Sequence, residues 1–417
     1  MREMKESGVE WLGDIPETWK LVQLGSLFSE HKQKNIGMQF NNLLSLSYGN
    51  IIRKDINTSD GLLPESFESY NVIDVGDIVL RLTDLQNDQR SLRVGLSHEN
   101  GIVTSAYVTL RRRNPELNSQ FFYYLLHSYD VRKGFYGMGG GVRQGLNYAG
   151  VKKIMLVFPP VDEQTVISSF LEGKLAKVDA LITNVQAQIE KLKQYKQSLI
   201  TEVVTRGLDP TVPMKDSGIQ WLPTMPIGWK LSRIKNEIIP LERPVLADDE
   251  VITCFRDGVV TLRRRRREDG FTVSFTEHGY QGVEIGDLVI HGMDTFAGAI
   301  GCSDSRGKTT PVVHVCRTTG NNRYFMYFLR SMAYNHVYMD FSNGVRIRSS
   351  DFRNFAKLAI FDIIVPPLDE QDAIVEYLDS KSAQIDRLLA LKQAKIDKLN
   401  EYKKSFIYEY VTGKREA

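Results

Sequence analysis

Val157–Gly207 reads VFPPVDEQTVISSFLEGKLAKVDALITNVQAQIEKLKQYKQSLITEVVTRG, and Val365–Lys414 reads VPPLDEQDAIVEYLDSKSAQIDRLLALKQAKIDKLNEYKKSFIYEYVTGK. The second stretch is the first again, 207 positions later: Pro159/Pro366, Asp162/Asp369, Glu163/Glu370, Gln164/Gln371, Lys174/Lys381, Asp179/Asp386, Leu192/Leu399 and Tyr195/Tyr402 coincide. A proline pair suits the first turn of a helix and not its interior. Neither Pro nor Gly interrupts Leu175–Arg206 or Leu368–Thr412. Apolar residues recur at 3,4 spacing, with Leu171, Val178, Val185, Leu192 and Leu199 in one row and Leu175, Ile182, Ile189 and Val203 in the other. The second copy repeats this with Leu378, Ile385, Leu399 and Phe406 beside Leu389, Ile396 and Tyr410. A heptad seam of this kind marks a coiled coil. Lys196 and Lys403 fall at matching seam positions, and Ser382 and Lys392 occupy two more; the lysines either snorkel from a partly exposed seam or fix its register. A helix from Leu171 to Val203 is about 50 Å long at ~1.5 Å per residue. Two helices with one apolar face each are expected to pack on each other within the chain.

The repeat extends outward. Lys5–Leu21 (KESGVEWLGDIPETWKL) matches Lys215–Leu231 (KDSGIQWLPTMPIGWKL), and these two segments hold all four tryptophans, expected as core anchors rather than base-stacking platforms. Strand-like Val72–Leu82 (VIDVGDIVLRL) has its partner in Val283–His291 (VEIGDLVIH), each with a Gly-Asp turn, and Ile102–Arg111 pairs with Val312–Arg317. A short helix begins after Asn118 in one half and after Asn321 in the other, each asparagine placed to cap it. Loops aligned on Gly141-Val142-Arg143 and Gly344-Val345-Arg346 follow. Gly207–Lys215 (GLDPTVPMK) has linker composition. The expected fold is α+β, an internal two-fold repeat in which two similar mixed α/β domains (1–157 and 208–364) are separated by two long antiparallel coiled-coil helices (158–207 and 365–417). Asn41–Glu68 and Leu246–Thr276 have little in common, nor do Leu85–Gly101 and Thr295–Thr309. One scaffold with two sets of divergent loops suits a protein that recognises two different things.

The 417 residues are 42% hydrophobic and 25% charged, with a net charge of +2. That total says nothing about nucleic acid; only local clusters can point to it. Three cysteines, all in the second half, fit a reducing compartment rather than a disulfide framework. With neither a signal-peptide pattern nor an apolar run of membrane-spanning length, a cytoplasmic protein with no membrane partner is expected.

No catalytic set emerges. Gly301–Thr309 (GCSDSRGKT) mimics a phosphate loop, but five residues separate its glycines where four are required, and a strand-like run follows instead of a helix. The seven histidines include no H-E-x-x-H pair, and there is no G-x-S-x-G elbow. Basic clusters do stand out. Arg263, Arg264, Arg265, Arg266 and Arg267 are consecutive, with Arg256 just upstream. The loop Arg81–Arg93 (RLTDLQNDQRSLR) carries Arg81, Gln86, Arg90 and Arg93, and the two G-V-R loops carry Arg143 with Gln144 and Arg346 with Arg348. Arginine neutralises phosphates and pairs bidentately with guanine, and Gln and Asn read base edges. A solvated charged face is the competing reading of each cluster.

The doubled E/D-S-G-V/I opening, V/I-G-D turn, G-V-R loop and P-P-x-x-E-Q helix start, in this order, resemble the DNA-specificity subunits of type I restriction–modification enzymes over nearly the whole chain. The resemblance implies a non-catalytic subunit whose two target recognition domains each read half of a bipartite, asymmetric double-stranded DNA target, with helix length setting the unread gap. It implies two methyltransferase subunits, the holders of S-adenosylmethionine, docked on the helices, and two restriction/translocase subunits besides; this chain itself needs no cofactor. The seam residues Leu171, Val178, Val185, Leu192, Leu378, Ile385 and Leu399 are the candidate partner-binding positions. The alternative is a coiled-coil scaffold that gathers protein partners without reading bases.

Overall fold

The computed structural model describes residues 2–57, 64, 66–88, 90–138, 145–266, 278–339 and 351–417. They form two compact units, Met1–Gln186 with Ala394–Ala417, and Ala187–Gln393. Four helices frame them: α1 (Ser119–Val131), α2 (Val161–Arg206), α3 (Asn322–Tyr334) and α4 (Leu368–Val411). The first unit therefore holds the start of α2 and the end of α4, and the second holds the end of α2 and the start of α4.

In the first unit, β1 (Phe28–Glu30), β2 (Leu44–Ser47), β3 (Asn50–Arg53), β4 (Ile78–Leu80), β5 (Val94–Leu96) and β6 (Val108–Arg112) supply a β2–β3 hairpin and an antiparallel sheet in the order β1-β6-β4-β5. The second unit repeats the plan. Its β7 (Ile238–Pro240), β8 (Ile252–Cys254), β9 (Val260–Leu262), β10 (Leu288–His291), β11 (Ile300–Cys302) and β12 (Val313–Thr318) give a β8–β9 hairpin and a sheet in the order β7-β12-β10-β11. Both stretches without shared sequence thus contain the same hairpin. Repetition of the Gly-Asp turn has a physical cause: Gly76 and Gly286 sit at φ +88 and +87, where a Cβ is disfavoured. Asp77 accepts from the Asp74 N–H at 2.9 Å and Asp287 from the Glu284 N–H at 2.7 Å, closing each turn.

The P-P-x-x-E-Q motif is explained in the same way. Gln164 Nε2 donates to Pro159 O and Gln371 Nε2 to Pro366 O, both at 2.9 Å. The other amide atom, Oε1, accepts from the N–H of Asn118 (3.2 Å) or Asn321 (2.9 Å). Those asparagines in turn cap α1 and α3, accepting from Phe121 N and Arg323 N. Glu163 and Glu370 accept from the indole N–H of the buried Trp19 (2.9 Å) and Trp229 (2.8 Å). Each motif thus fastens the start of a long helix to its domain.

Within each unit α2 and α4 pack antiparallel. In the first, Phe170 lies against Phe406 and Tyr410 (centroids 6.0 and 5.0 Å) while Asp179 pairs with Lys403. In the second, Lys196 pairs with Asp386 at 2.8 Å and Lys392 donates to Gln188 at 2.6 Å. The domain and helices of each unit share one core, in which Leu171, Leu175, Phe406 and Ile407 join Trp19 and Phe121, and Ile200, Val203 and Leu378 join Trp229 and Phe325. This corrects the expected partner-binding set. Leu171, Val185, Leu378 and Ile385 are buried and Val178, Leu192 and Leu399 half-buried, because the seam is consumed inside the chain. The large apolar side chains left exposed on the same helices are Val166, Leu181 and Tyr195 of α2 and Leu368, Leu388, Leu391 and Tyr402 of α4. Leu181 with Leu388 and Tyr195 with Tyr402 are repeat equivalents.

Candidate nucleic-acid interface

Three segments converge at one end of the sheet in the first unit. The β2–β3 turn places Tyr48 and Gly49 at φ +46 and +82, the twist a two-residue hairpin turn requires. Gly49 lies so near the β4–β5 loop that a Cβ there would stand 3.2 Å from Leu92. Leu146, just after the first G-V-R loop, donates its N–H to Leu82 O at 2.9 Å. Tyr48 is 72% exposed, and Arg53, at the far end of β3 and paired with Glu99, 74%. Gln86 and Arg90 are exposed on the β4–β5 loop, and Arg81 is 3.9 Å from Asp88. Hydrogen bonds from the Ser91 hydroxyl and N–H pull the Asp88 carboxyl down to about 2, against a smaller opposing effect of burial, so it stays ionised while bracing the loop.

Arg93 corrects the sequence reading. It is fully buried, its guanidinium donating to the carbonyls of Thr83 (2.9 Å), Asp84 (3.4 Å) and Asp88 and to Tyr136 Oη (3.3 Å). None of it reaches the surface; it braces the loop that carries Gln86 and Arg90. Arg143 and Gln144 lie outside the described residues, as do Arg267, Arg346 and Arg348.

The second unit brings together the matching segments. The β8–β9 turn places Gly258 against Arg330 of α3, and Gly298, in the β10–β11 loop, packs near Arg256 O (3.3 Å from an added Cβ). Phe352, after the second G-V-R loop, donates to Gly292 O at 2.8 Å. Arg264, Arg265 and Arg266 are exposed and Arg263 half-buried, its Nε bonding Thr253 Oγ1 at 3.1 Å. Arg264 pairs with Glu250 (2.6 Å), Arg265 with Asp304 (3.5 Å) and Ser305 (2.8 Å), Arg266 with Asp257, and Arg256 with Asp294 (2.9 Å). Sequence reasoning missed Tyr48 at the converging end of the first unit, and also the arginines Arg53, at the far end of the same hairpin, and Arg243 and Arg306, beside the Gly-Asp turn at the other end of β10. The turn signal S-Y-G-N between alternating residues could have placed Tyr48; Arg243 and Arg306 are held by tertiary pairing, with Asp287 and with Asp249 and Glu284, that no local pattern announces.

Among the described residues no group of three or more His, Cys, Asp or Glu is placed to hold a metal ion. Burial pushes the thiols of Cys254, Cys302 and Cys316 up to about 12, leaving them protonated and unreactive. Among the described residues no helix is long and apolar enough to cross a membrane.

No family model matches the chain. A curated relative from Methanocaldococcus jannaschii, assigned as the MjaX type I restriction enzyme specificity subunit, is 21% identical over 425 aligned residues, covering 97% of this chain and 95% of that protein. A solved chain from a type I restriction–modification system, determined for its complex assembly and conformational transition, superposes with a TM-score of 0.65 at 15% identity, covering 96% of this chain and 99% of that one. The doubled fold with two long packed helices is thus one that type I systems use. From end to end the chain is thus similar in sequence to a type I specificity subunit and in fold to a chain of a type I restriction–modification system.

Proposed function

We propose that each domain reads one half of a bipartite, asymmetric double-stranded DNA target, that α2 and α4 set the unread gap, and that two methyltransferase subunits dock on the exposed flanks of these helices, with restriction/translocase subunits joining for cleavage. The observation that carries the reading is convergence, in both units, of a hairpin turn, the loop between the paired inner strands and the flank of the G-V-R loop at one sheet end. That end holds the divergent residues, while the helix-start contacts are the same twice. Polar and arginine-bearing loops on a rigid sheet suit direct readout of base edges with phosphate contacts for orientation. Leu181 with Tyr402, and Leu388 with Tyr195, are the exposed apolar positions that two equivalent partners would cover.

The test is to remove one heptad from each helix, residues 187–193 and 394–400, and to map modified adenines in DNA exposed to the assembled complex. Each deletion removes about 10 Å of helix, or about 3 base pairs of duplex. The half-sites are expected to keep their letters while the gap changes; altered letters would overturn the reading. A gel shift with partner subunits present separates it from a scaffold that reads no DNA.

A further inference from the structure

The arginines that follow β9, and Arg243 and Arg306 near them in the second unit, are held by carboxylates of the same surface. Two kinds of acid take part. Asp249 and Asp287, which hold Arg306 and Arg243, are buried (side chains 4% and 11% exposed), and Asp287 also closes the Gly-Asp turn, so these are structural. Glu250, Asp257 and Asp304, which hold Arg264, Arg266 and Arg265, are about half exposed (50, 51 and 54%). Exposed ion pairs of this kind contribute little stability. Their conspicuous effect is on charge: three consecutive arginines that would present +3 to a phosphate backbone present close to zero. Burial acts to raise the Asp257 carboxyl, but the hydrogen bonds from Arg266 and the Val259 N–H outweigh it, so this acid stays ionised beside its arginine. Arg266 is further oriented over the Phe255 ring at 4.3 Å, and Arg265 by Ser305 Oγ at 2.8 Å.

We propose that Glu250, Asp257 and Asp304 are specificity-determining residues that act as built-in competitors of DNA phosphate for Arg264, Arg266 and Arg265. The inference rests on the DNA-reading function proposed above. Phosphate on a non-target duplex only exchanges one anionic partner for another, so counterion release brings little net gain. A target duplex adds base-edge contacts to the exchange, and only then does the guanidinium leave its carboxylate. The same acids hold the arginines in ordered geometry beforehand, which lowers the ordering cost of docking. Target and non-target DNA are thereby separated by suppressing the wrong complex as well as by favouring the right one.

The experiment compares the full chain, assembled with its methyltransferase partners, as wild type and as E250Q/D257N/D304N. Fluorescence anisotropy with a mixed-sequence duplex, over a salt series, reads affinity and the slope of log K against log salt. The variant is expected to bind mixed-sequence duplex about tenfold or more tightly, with a slope steeper by about 1 to 3, since each released arginine adds ~0.9. Its preference for the target, defined from modified-adenine mapping, falls accordingly. A variant that melts cooperatively like wild type but keeps the wild-type affinity and slope overturns the proposal. Should the triple variant fail to fold, D257N alone is expected to steepen the slope by about 1, and an unchanged slope is the refuting result. Wild type that binds no duplex at low salt refutes the DNA-reading function itself, a result distinct from both.

Discussion

Immediately before β5 in the first unit stands Arg93, whose backbone N–H donates to Asp130 of α1 at 2.5 Å. The matching position before β11 in the second unit is Ala299, and Asp130 has its counterpart in Ala333 of α3. The register fixes the correspondence: Arg81 N donates to Arg93 O, and His291 N to Ala299 O, at 2.9 and 3.0 Å. What differs is the loop between. Residues 82–92 form a long excursion whose carbonyls at Thr83, Asp84 and Asp88 find their donor in the buried Arg93 guanidinium. Residues 292–298 form a shorter one that closes itself, with Thr295 Oγ1 donating to His291 O (2.6 Å), the Asp294 N–H donating to His291 Nδ1 (3.1 Å) and Gly298 ending the turn at φ +84. A short loop satisfies its own polar groups, whereas a long one needs a donor from the scaffold. The scaffold is therefore not wholly neutral to what it carries: a buried charge comes with the longer loop.

Removing that donor is the largest predicted effect. R93A leaves buried carbonyls unpaired and the Asp130 carboxylate without its neighbouring charge, and is expected to destabilise the first unit by about 3–5 kcal/mol. R93A/D130A, which installs the alanine pair of the second unit, is expected to cost clearly less than the sum of the single changes. Urea melts of the four proteins form the cycle. Strict additivity would show that the two residues are not one device.

The same comparison makes a pH prediction. Burial raises the Asp130 carboxyl to about 6, with the Arg93 N–H bond and the Arg93 and Lys133 charges pulling the other way. A carboxyl whose folded pKa lies above its unfolded value binds its proton more tightly when folded. Its contribution is therefore most favourable at low pH, declines as pH rises from about 4 to 6, and is a full cost above that, ~3 kcal/mol at most. D130N keeps an oxygen for the Arg93 N–H and removes the charge. Its stability relative to wild type should rise across pH 4–6 and then level off. A difference that is flat or falls with pH would be the wrong sign. His127, on the same helix, is lowered to about 4 by burial and then by the Lys403 and Lys404 charges. It destabilises as pH falls below about 6.5, so the variant-minus-wild-type difference is the quantity to read.

These features also show what a sequence can carry. The long helices, the Gly-Asp turns, the capping asparagines and the sheet strands were legible because each rests on local chemistry that recurs: Pro at a helix start, Gly at positive φ, Asn at a cap. The shared hairpin was not, since Leu44–Arg53 and Ile252–Leu262 keep only an alternating pattern and differ in turn length. Arg93 looked like its exposed neighbours because burial of an arginine depends on carbonyls that come together only after the loop folds. The partner-binding expectation failed for a related reason. An apolar seam announces that it will be covered, and here the covering surface is the chain itself. The exposed Leu181 and Tyr402, with their repeats, lie beside the seam, where periodicity alone gives them no emphasis.

The smallest expected effect concerns the two seam lysines, for which the sequence leaves snorkelling and register both open. Lys196 reaches Asp386 and Lys403 reaches Asp179, a reciprocal arrangement generated by the repeat. Both lysines are about one quarter exposed and both aspartates more than half, so each pair is screened and contributes under ~1 kcal/mol. K196A and K403A should therefore lower stability by similar small amounts, diminishing at high salt, with D386A and D179A behaving alike. K196L/K403L should instead stabilise the helix pair, because an apolar side chain extends the buried seam where a lysine buries only its stem. Stabilisation on losing the charge would identify the lysines as setting helix register at a cost in stability. A loss of several kcal/mol would make them principal struts of the pair, and the likeness of the two units would then extend to energetics that their exposure does not suggest.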